Sequence, residues 1–167
     1  GPDLAPGQIT GERESFRDTL LLPRLKRSLI RLNPATDGLE DEAIQKLLAI
    51  EHLNLEEENR QIFKMLVEGT FVEGFKKTTA LTGEEEQITF PIKFFDFENP
   101  RNNEFLVVNQ LAVQGADSVR RPDIVVYVNG IPLAVFELKS PTSESGTIRS
   151  AYLQLEAYKN EIPELFK

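Results

Sequence analysis

From Glu12 to Leu32, apolar residues fall at Phe16, Leu20, Leu21, Leu25, Leu29, Ile30 and Leu32, a helical spacing interrupted by Pro23. Pro23 is predicted to open a second helix as its first residue, where a missing N–H costs nothing. Asn33-Pro34 should close that helix, because the residue before a proline disfavours the helical region. Leu39–Leu53 repeats the pattern at Leu39, Ala43, Ile44, Leu47, Leu48, Ile50 and Leu53. Glu56–Val67 forms a third segment, with Ile62, Phe63, Leu66 and Val67 on one side and Gly69 as its stop.

Beyond Gly69 the period changes. Thr70–Lys76, Gln87–Phe97, Glu104–Val113, Asp123–Val128 and Leu133–Leu138 are short stretches rich in Val, Ile and Phe, bounded by Gly, Pro and Asn. Helical spacing returns over Thr147–Asn160, with Ile148, Ala151, Leu155 and Tyr158 on one stripe, and Pro163 closes it. Helices, then strands, then a helix predict an α/β (α+β) chain in which helices flank a mixed central sheet.

Three charged groups interrupt the last two strands: Asp123, Glu137 and Lys139. Burying them in a core strand is costly unless they pair or bind a metal. Glu137 and Lys139 are two apart, so a strand puts both on one face. Asn129-Gly130 between the strands is a strong hairpin signal. A two-residue loop pairs Val128 with Ile131, hence Asp123 with Phe136, and separates the two carboxylates. A three-residue loop pairs Val128 with Pro132, hence Asp123 with Glu137. Cooperation therefore requires that parity, or a bulge in one strand. Two carboxylates and an ammonium on one face suit phosphodiester hydrolysis, with Asp123 and Glu137 holding Mg²⁺ and Lys139 orienting water and offsetting charge on phosphorus.

Composition narrows the alternatives. The 167 residues contain no cysteine, so a disulfide scaffold, a thiolate zinc site and a cysteine nucleophile are excluded. His52 is the sole histidine, has no matched ligand spacing and reads as structural. No apolar run approaches membrane-spanning length and no signal peptide is visible, so the expected location is cytoplasmic. The net charge of −8 argues against general nucleic-acid coating. Basic residues nevertheless gather at 13, 17, 24, 26, 27 and 31, while Asp37–Glu58 is acidic except for Lys46. Gly69–Lys76 lacks the lysine that a phosphate-cradling loop needs after its second glycine, so no ATP chemistry is assigned and the stretch reads as a strand. Gly1-Pro2, with Met65 as sole methionine, marks residues 1–11 as a tag remnant and tail before one domain over 12–167.

Taken whole, Pro122-Asp123, an apolar strand, a hairpin, a second apolar strand and Glu137-x-Lys139 resemble the PD-(D/E)xK nuclease superfamily. Gln154-Leu155-Glu156-Ala157-Tyr158 resembles the accessory motif of its RecB-like branch, both polar tips lying on one helix face. Glu14-Ser15-Phe16, Leu32-Asn33-Pro34, Asn59-Arg60, Leu66-Val67-Glu68-Gly69, Asn102-Asn103-x-Phe105, Val108-Asn109-Gln110 and Asn129-Gly130-Ile131-Pro132-Leu133 narrow the likeness to the N-terminal nuclease domain of type I restriction enzyme R subunits. It covers Glu14 to Lys167.

That resemblance implies a restriction-endonuclease-like core and the activity of a type I site-specific deoxyribonuclease. It places the metal and catalytic trio on Asp123, Glu137 and Lys139, with Gln154 and Tyr158 as the glutamine-tyrosine pair at the catalytic and DNA-binding site. It also implies Mg²⁺ as cofactor, ATP used only by a motor that follows this domain, and double-stranded DNA as substrate. Methyltransferase and specificity subunits would be its partners. Arg120 and Arg121 are candidate DNA contacts. Glu14 is the candidate accessory acid, with Glu57 and Glu58 as alternatives. The chain stops where a further core strand is expected, so truncation is expected too. Two other readings stay open: a non-catalytic docking module between motor and methyltransferase core, and a stand-alone RecB-like repair nuclease.

Overall fold

The helix assigned to Pro23 begins one residue earlier: α1 runs Leu22–Leu32. This computed structural model describes residues 12–36, 38–51, 54–77, 85–140 and 146–166. His52, the tail 1–11 and residues 141–145 of the Ser-rich stretch lie outside them. After α1 come α2 (Glu40–Leu48), α3 (Leu55–Glu68), β1 (Thr70–Lys77), β2 (Glu85–Ile92), β3 (Phe105–Asn109), β4 (Val113–Gln114), β5 (Val119–Arg120), β6 (Ile124–Val128), β7 (Ile131–Phe136) and α4 (Ile148–Glu161). The class is α+β. The described strands pair antiparallel in three sheets: β1-β2, β3-β6-β7 and β4-β5.

The segment before Pro23 is not helical. The Asp18 carboxylate accepts the backbone N–H groups of Glu14 at 3.1 Å and Ser15 at 2.8 Å, folding that stretch into a turn. A short acidic side chain offers the backbone an alternative to the helix. The stops behave as the sequence requires. Asn33-Pro34 ends α1, and Asn54 caps α3 by accepting the Glu57 N–H at 2.8 Å. Gly69 ends α3 with φ +80°, where a Cβ would meet the Ile92 carbonyl oxygen at 2.4 Å. The stretch from Thr70 is strand β1, in keeping with the exclusion of a phosphate loop. The strand expected to reach Phe97 stops at Ile92. There the Asp96 carboxylate binds the Asn99 N–H at 3.0 Å, the Asn102 amide at 2.9 Å and the Lys93 ammonium at 3.1 Å.

Two compact units result, Gly1–Leu25 with Glu104–Lys167, and Lys26–Asn103. In the second, Leu66, Val72, Ile92 and Phe94 are buried, as are Ala43, Ile44 and Leu47 of α2. In the first, Leu21, Val108, Leu111, Val113, Val125, Tyr127, Tyr158, Ile162 and Leu165 form the core. Each such side chain contributes about 1.5–3 kcal/mol when fully buried. Burial raises the Tyr127 phenol, which stays protonated and donates to the Thr19 carbonyl at 3.0 Å.

The hairpin turn is pinned on both sides. Asn129 (φ +53°) and Gly130 (φ +85°) have the two positive dihedrals of a two-residue type I′ turn. Asn129 is fully buried; it donates its N–H to the Glu104 carbonyl and accepts the Glu104 N–H, both at 2.8 Å. Gly130 accepts the Leu21 N–H at 2.9 Å, and a Cβ there would meet the Leu21 oxygen at 2.7 Å.

Candidate active site

β6 and β7 solve the parity problem with a bulge. Val128 pairs with Ile131 and Tyr127 with Pro132, the register of a two-residue loop. Between Tyr127 and Val126 the register shifts by one, so Val126 pairs with Ala134, Val125 with Val135 and Ile124 with Phe136. Leu133 is the extra residue, and it is exposed. Continued one step beyond the last pair, that register sets Asp123 opposite Glu137. The pairing is continued by a side chain: Asp123 Oδ2 accepts the Leu138 backbone N–H at 2.8 Å. Asp123 and Glu137 thus extend the face that carries Val125, Tyr127 and Val135 into the core.

Glu137, Lys139, Gln154 and Tyr158 close a hydrogen-bonded ring. Lys139 Nζ donates to Glu137 Oε1 at 3.1 Å and to Gln154 Oε1. Gln154 Nε2 donates to the Tyr158 hydroxyl at 2.6 Å, and that hydroxyl points to Glu137 Oε2 at 3.4 Å. The Glu137 side chain is 5% exposed and that of Lys139 is 25% exposed. A carboxylate this buried needs its cation. Burial pushes the Tyr158 phenol above its usual range; the Gln154 bond opposes that shift, while the charges of Glu137 and Asp123 add to it. The phenol is therefore a neutral donor at ordinary pH.

α4 sets two corners of this ring because Gln154 and Tyr158 are one turn apart. Thr147 starts the helix by capping Ser150 in a reciprocal pair of bonds. The Tyr158 ring lies inside the core, 5% exposed, with only its hydroxyl turned to the ring of polar groups. That burial agrees with the helical spacing, which sets Tyr158 on one stripe with Ala151 and Leu155.

The remaining candidates lie elsewhere. Arg120 is held in a bidentate pair with Glu161 at 2.6 and 2.7 Å, whereas Arg121 is exposed. Glu14 is exposed in the turn bound by Asp18 and is not among the residues that meet at Glu137. Glu57 pairs with Arg60 on α3, and Glu58 is buried there. Two groups at the site escaped sequence reasoning: the Leu138 N–H and Gln110, whose Nε2 donates to Asp123 Oδ1 at 2.6 Å. Gln110 enters the sequence reading only within Val108-Asn109-Gln110 and inside the stretch expected as one strand, with no role assigned to its side chain.

Asp123 and Glu137 are the donor type that Mg²⁺ takes. They supply hard oxygens, and no group of three or more His, Cys, Asp or Glu gathers among the described residues. Mg²⁺ is commonly bound through one or two carboxylates and retains several waters, unlike zinc in its closed cages.

A type I restriction enzyme HindI endonuclease subunit of Haemophilus influenzae is 33% identical over 168 residues, 99% of this chain and 15% of that protein. A Methanocaldococcus jannaschii protein assigned by name as the MjaIXP endonuclease subunit of a type I restriction enzyme is 35% identical over 171 residues, 100% of this chain and 16% of that protein. The chain thus spans about a sixth of the length of these relatives. No solved structure gives a significant match. No helix among the described residues is long and apolar enough to cross a membrane. The model of the type I restriction enzyme R protein N terminus matches residues 2–167, and the chain belongs to that family.

Proposed function

We propose that this chain is the DNA-cleaving domain of a type I restriction enzyme R subunit, a Mg²⁺-dependent endonuclease of the PD-(D/E)xK, RecB-like kind. The observation that carries the reading is the bulge at Leu133, which brings Asp123 into register with Glu137, itself bonded to Lys139. A strand irregularity that brings two carboxylates to one edge of a core face is typical of sites where a side chain must be re-aimed.

Asp123 and Glu137 would hold the ion, which when bound would polarise the scissile phosphate and lower the pKa of an attacking water. Lys139 has three N–H donors, of which Glu137 and Gln154 take two. The third is available to orient water, and the ammonium offsets charge developing on phosphorus. Gln154 and Tyr158 keep Lys139 and Glu137 in place, and their polar tips serve as contacts for DNA. Double-stranded DNA is the substrate. ATP acts through a motor elsewhere in the R subunit, within a cytoplasmic complex with methyltransferase and specificity subunits.

The test is Asp123→Ala, Glu137→Ala or Lys139→Ala in the full-length R subunit. Cleavage is expected to be lost while ATP hydrolysis continues, because the metal chemistry is local. Cleavage at the normal rate, or equal loss of ATPase activity in folded variants, overturns the reading.

A further inference from the structure

Gln110 combines two features that no local sequence signal demanded. Its backbone has φ +55°, a left-handed conformation that, among the described non-glycine residues, only Asn129 shares. It also binds Asp123 twice: its N–H donates to the Asp123 carbonyl at 3.0 Å, and its side-chain Nε2 to Asp123 Oδ1 at 2.6 Å. β3 ends one residue earlier, at Asn109, which pairs with Ile124. The left-handed turn ends the strand while keeping the backbone bond to Asp123.

Asn129 has an evident reason for its conformation, since its amide is buried against Glu104. Gln110 is exposed, so packing supplies no such reason. Glycine would meet the backbone requirement without steric strain. Residues held in sparsely populated backbone regions cluster at active sites and ligand clamps.

We propose that Gln110 is a positioning residue that fixes the Asp123 carboxylate for a divalent cation, an inference that rests on the Mg²⁺ endonuclease reading. Gln110 holds Oδ1 and the Leu138 N–H holds Oδ2, so the carboxylate plane is set from both sides. Each oxygen keeps a lone pair for a metal. The donor is an uncharged amide, so it orients the carboxylate without competing electrostatically with the ion. A lysine or arginine there would neutralise the site. Hydrogen-bond partners of metal ligands typically change metal affinity 10–100-fold when removed.

The experiment is a Mn²⁺ titration of the 167-residue chain by water-proton relaxation, with melting temperature measured in parallel. Mn²⁺ stands in for Mg²⁺ because both favour octahedral oxygen coordination. Wild type, Asp123→Ala, Gln110→Gly and Gln110→Asn are compared. Glycine and asparagine both tolerate the left-handed backbone, but neither can carry an amide to Oδ1. Both variants are expected to melt at or near the wild-type temperature and to bind Mn²⁺ about 10–100-fold more weakly. If Asp123→Ala loses Mn²⁺ while Gln110→Gly binds as wild type does, the role of Gln110 is overturned and the site reading stands. If wild type fails to bind, or Asp123→Ala binds as tightly as wild type, the site reading fails and takes this inference with it. A collapse of melting temperature in both Gln110 variants would make the side chain structural and overturn the proposal.

Discussion

Asp123 accepts the backbone N–H of Leu138 at 2.8 Å, one residue past Glu137. A side chain thus continues the ladder after β7 stops at Phe136. Leu138→Pro removes that N–H, and the Leu138 side chain is 61% exposed, so little packing is lost. A hydrogen bond to a charged group is worth about 1.5–3 kcal/mol. Cleavage by the full-length R subunit should fall roughly 10- to 100-fold in Leu138→Pro, by that figure, and stay normal in Leu138→Ala. Normal cleavage by the proline variant would show that this N–H does not orient Asp123.

Tyr158 should separate stability from activity. Its ring is 5% exposed within the core cluster, so Tyr158→Ala should cost about 3–5 kcal/mol in chemical denaturation, as other large aromatic truncations do. Tyr158→Phe removes only the hydroxyl that links Gln154 to Glu137, at about 1 kcal/mol. Its cleavage rate should drop about tenfold, in line with 1.4 kcal/mol per decade. An unchanged rate in Tyr158→Phe would remove the hydroxyl from the reaction.

The two neighbouring arginines should behave differently toward DNA. Arg120 is neutralised by Glu161, whose carboxyl it holds below the usual range, whereas Arg121 is exposed. Anisotropy titrations of a short duplex at several salt concentrations should show weaker binding for Arg121→Ala and a salt slope reduced by about one. Arg120→Ala should change the slope less. The reverse order would move the phosphate contact to Arg120.

Acid should loosen the Lys93–Asn103 segment. Asp96 is pushed down to about 2 from 3.8, first by the Asn102 hydrogen bond, then by the Asn99 N–H and Lys93. A lowered carboxylate pKa gives stability that is complete above the unfolded value and is lost as pH falls through the folded one. The Asn99 amide resonance should therefore move between about pH 4 and 2, a window set by those two values. In Asp96→Asn the displaced position should already be present at neutral pH. A resonance indifferent to both changes would exclude the carboxylate as the anchor.

Local physics in the chain was enough for the stops at Asn33-Pro34 and Gly69, the strand from Thr70, the Asn129-Gly130 turn and the helix over Gln154 and Tyr158, because steric limits and periodicity act within a few residues. The same arithmetic left two ways to set Asp123 opposite Glu137, a longer loop or a bulge. Tertiary contacts decided. Asn129 is bonded to Glu104 and Gly130 to Leu21, which holds the loop at two residues and leaves the extra residue to Leu133. The turn of Gln110 toward Asp123 belongs to the same class. Arg13 reaches Ala112, Thr19 reaches Glu164 and Gln110 reaches Asp123. Helix and strand periodicity speak only for neighbours along the chain, so partners 13 to 145 residues away leave no mark in it.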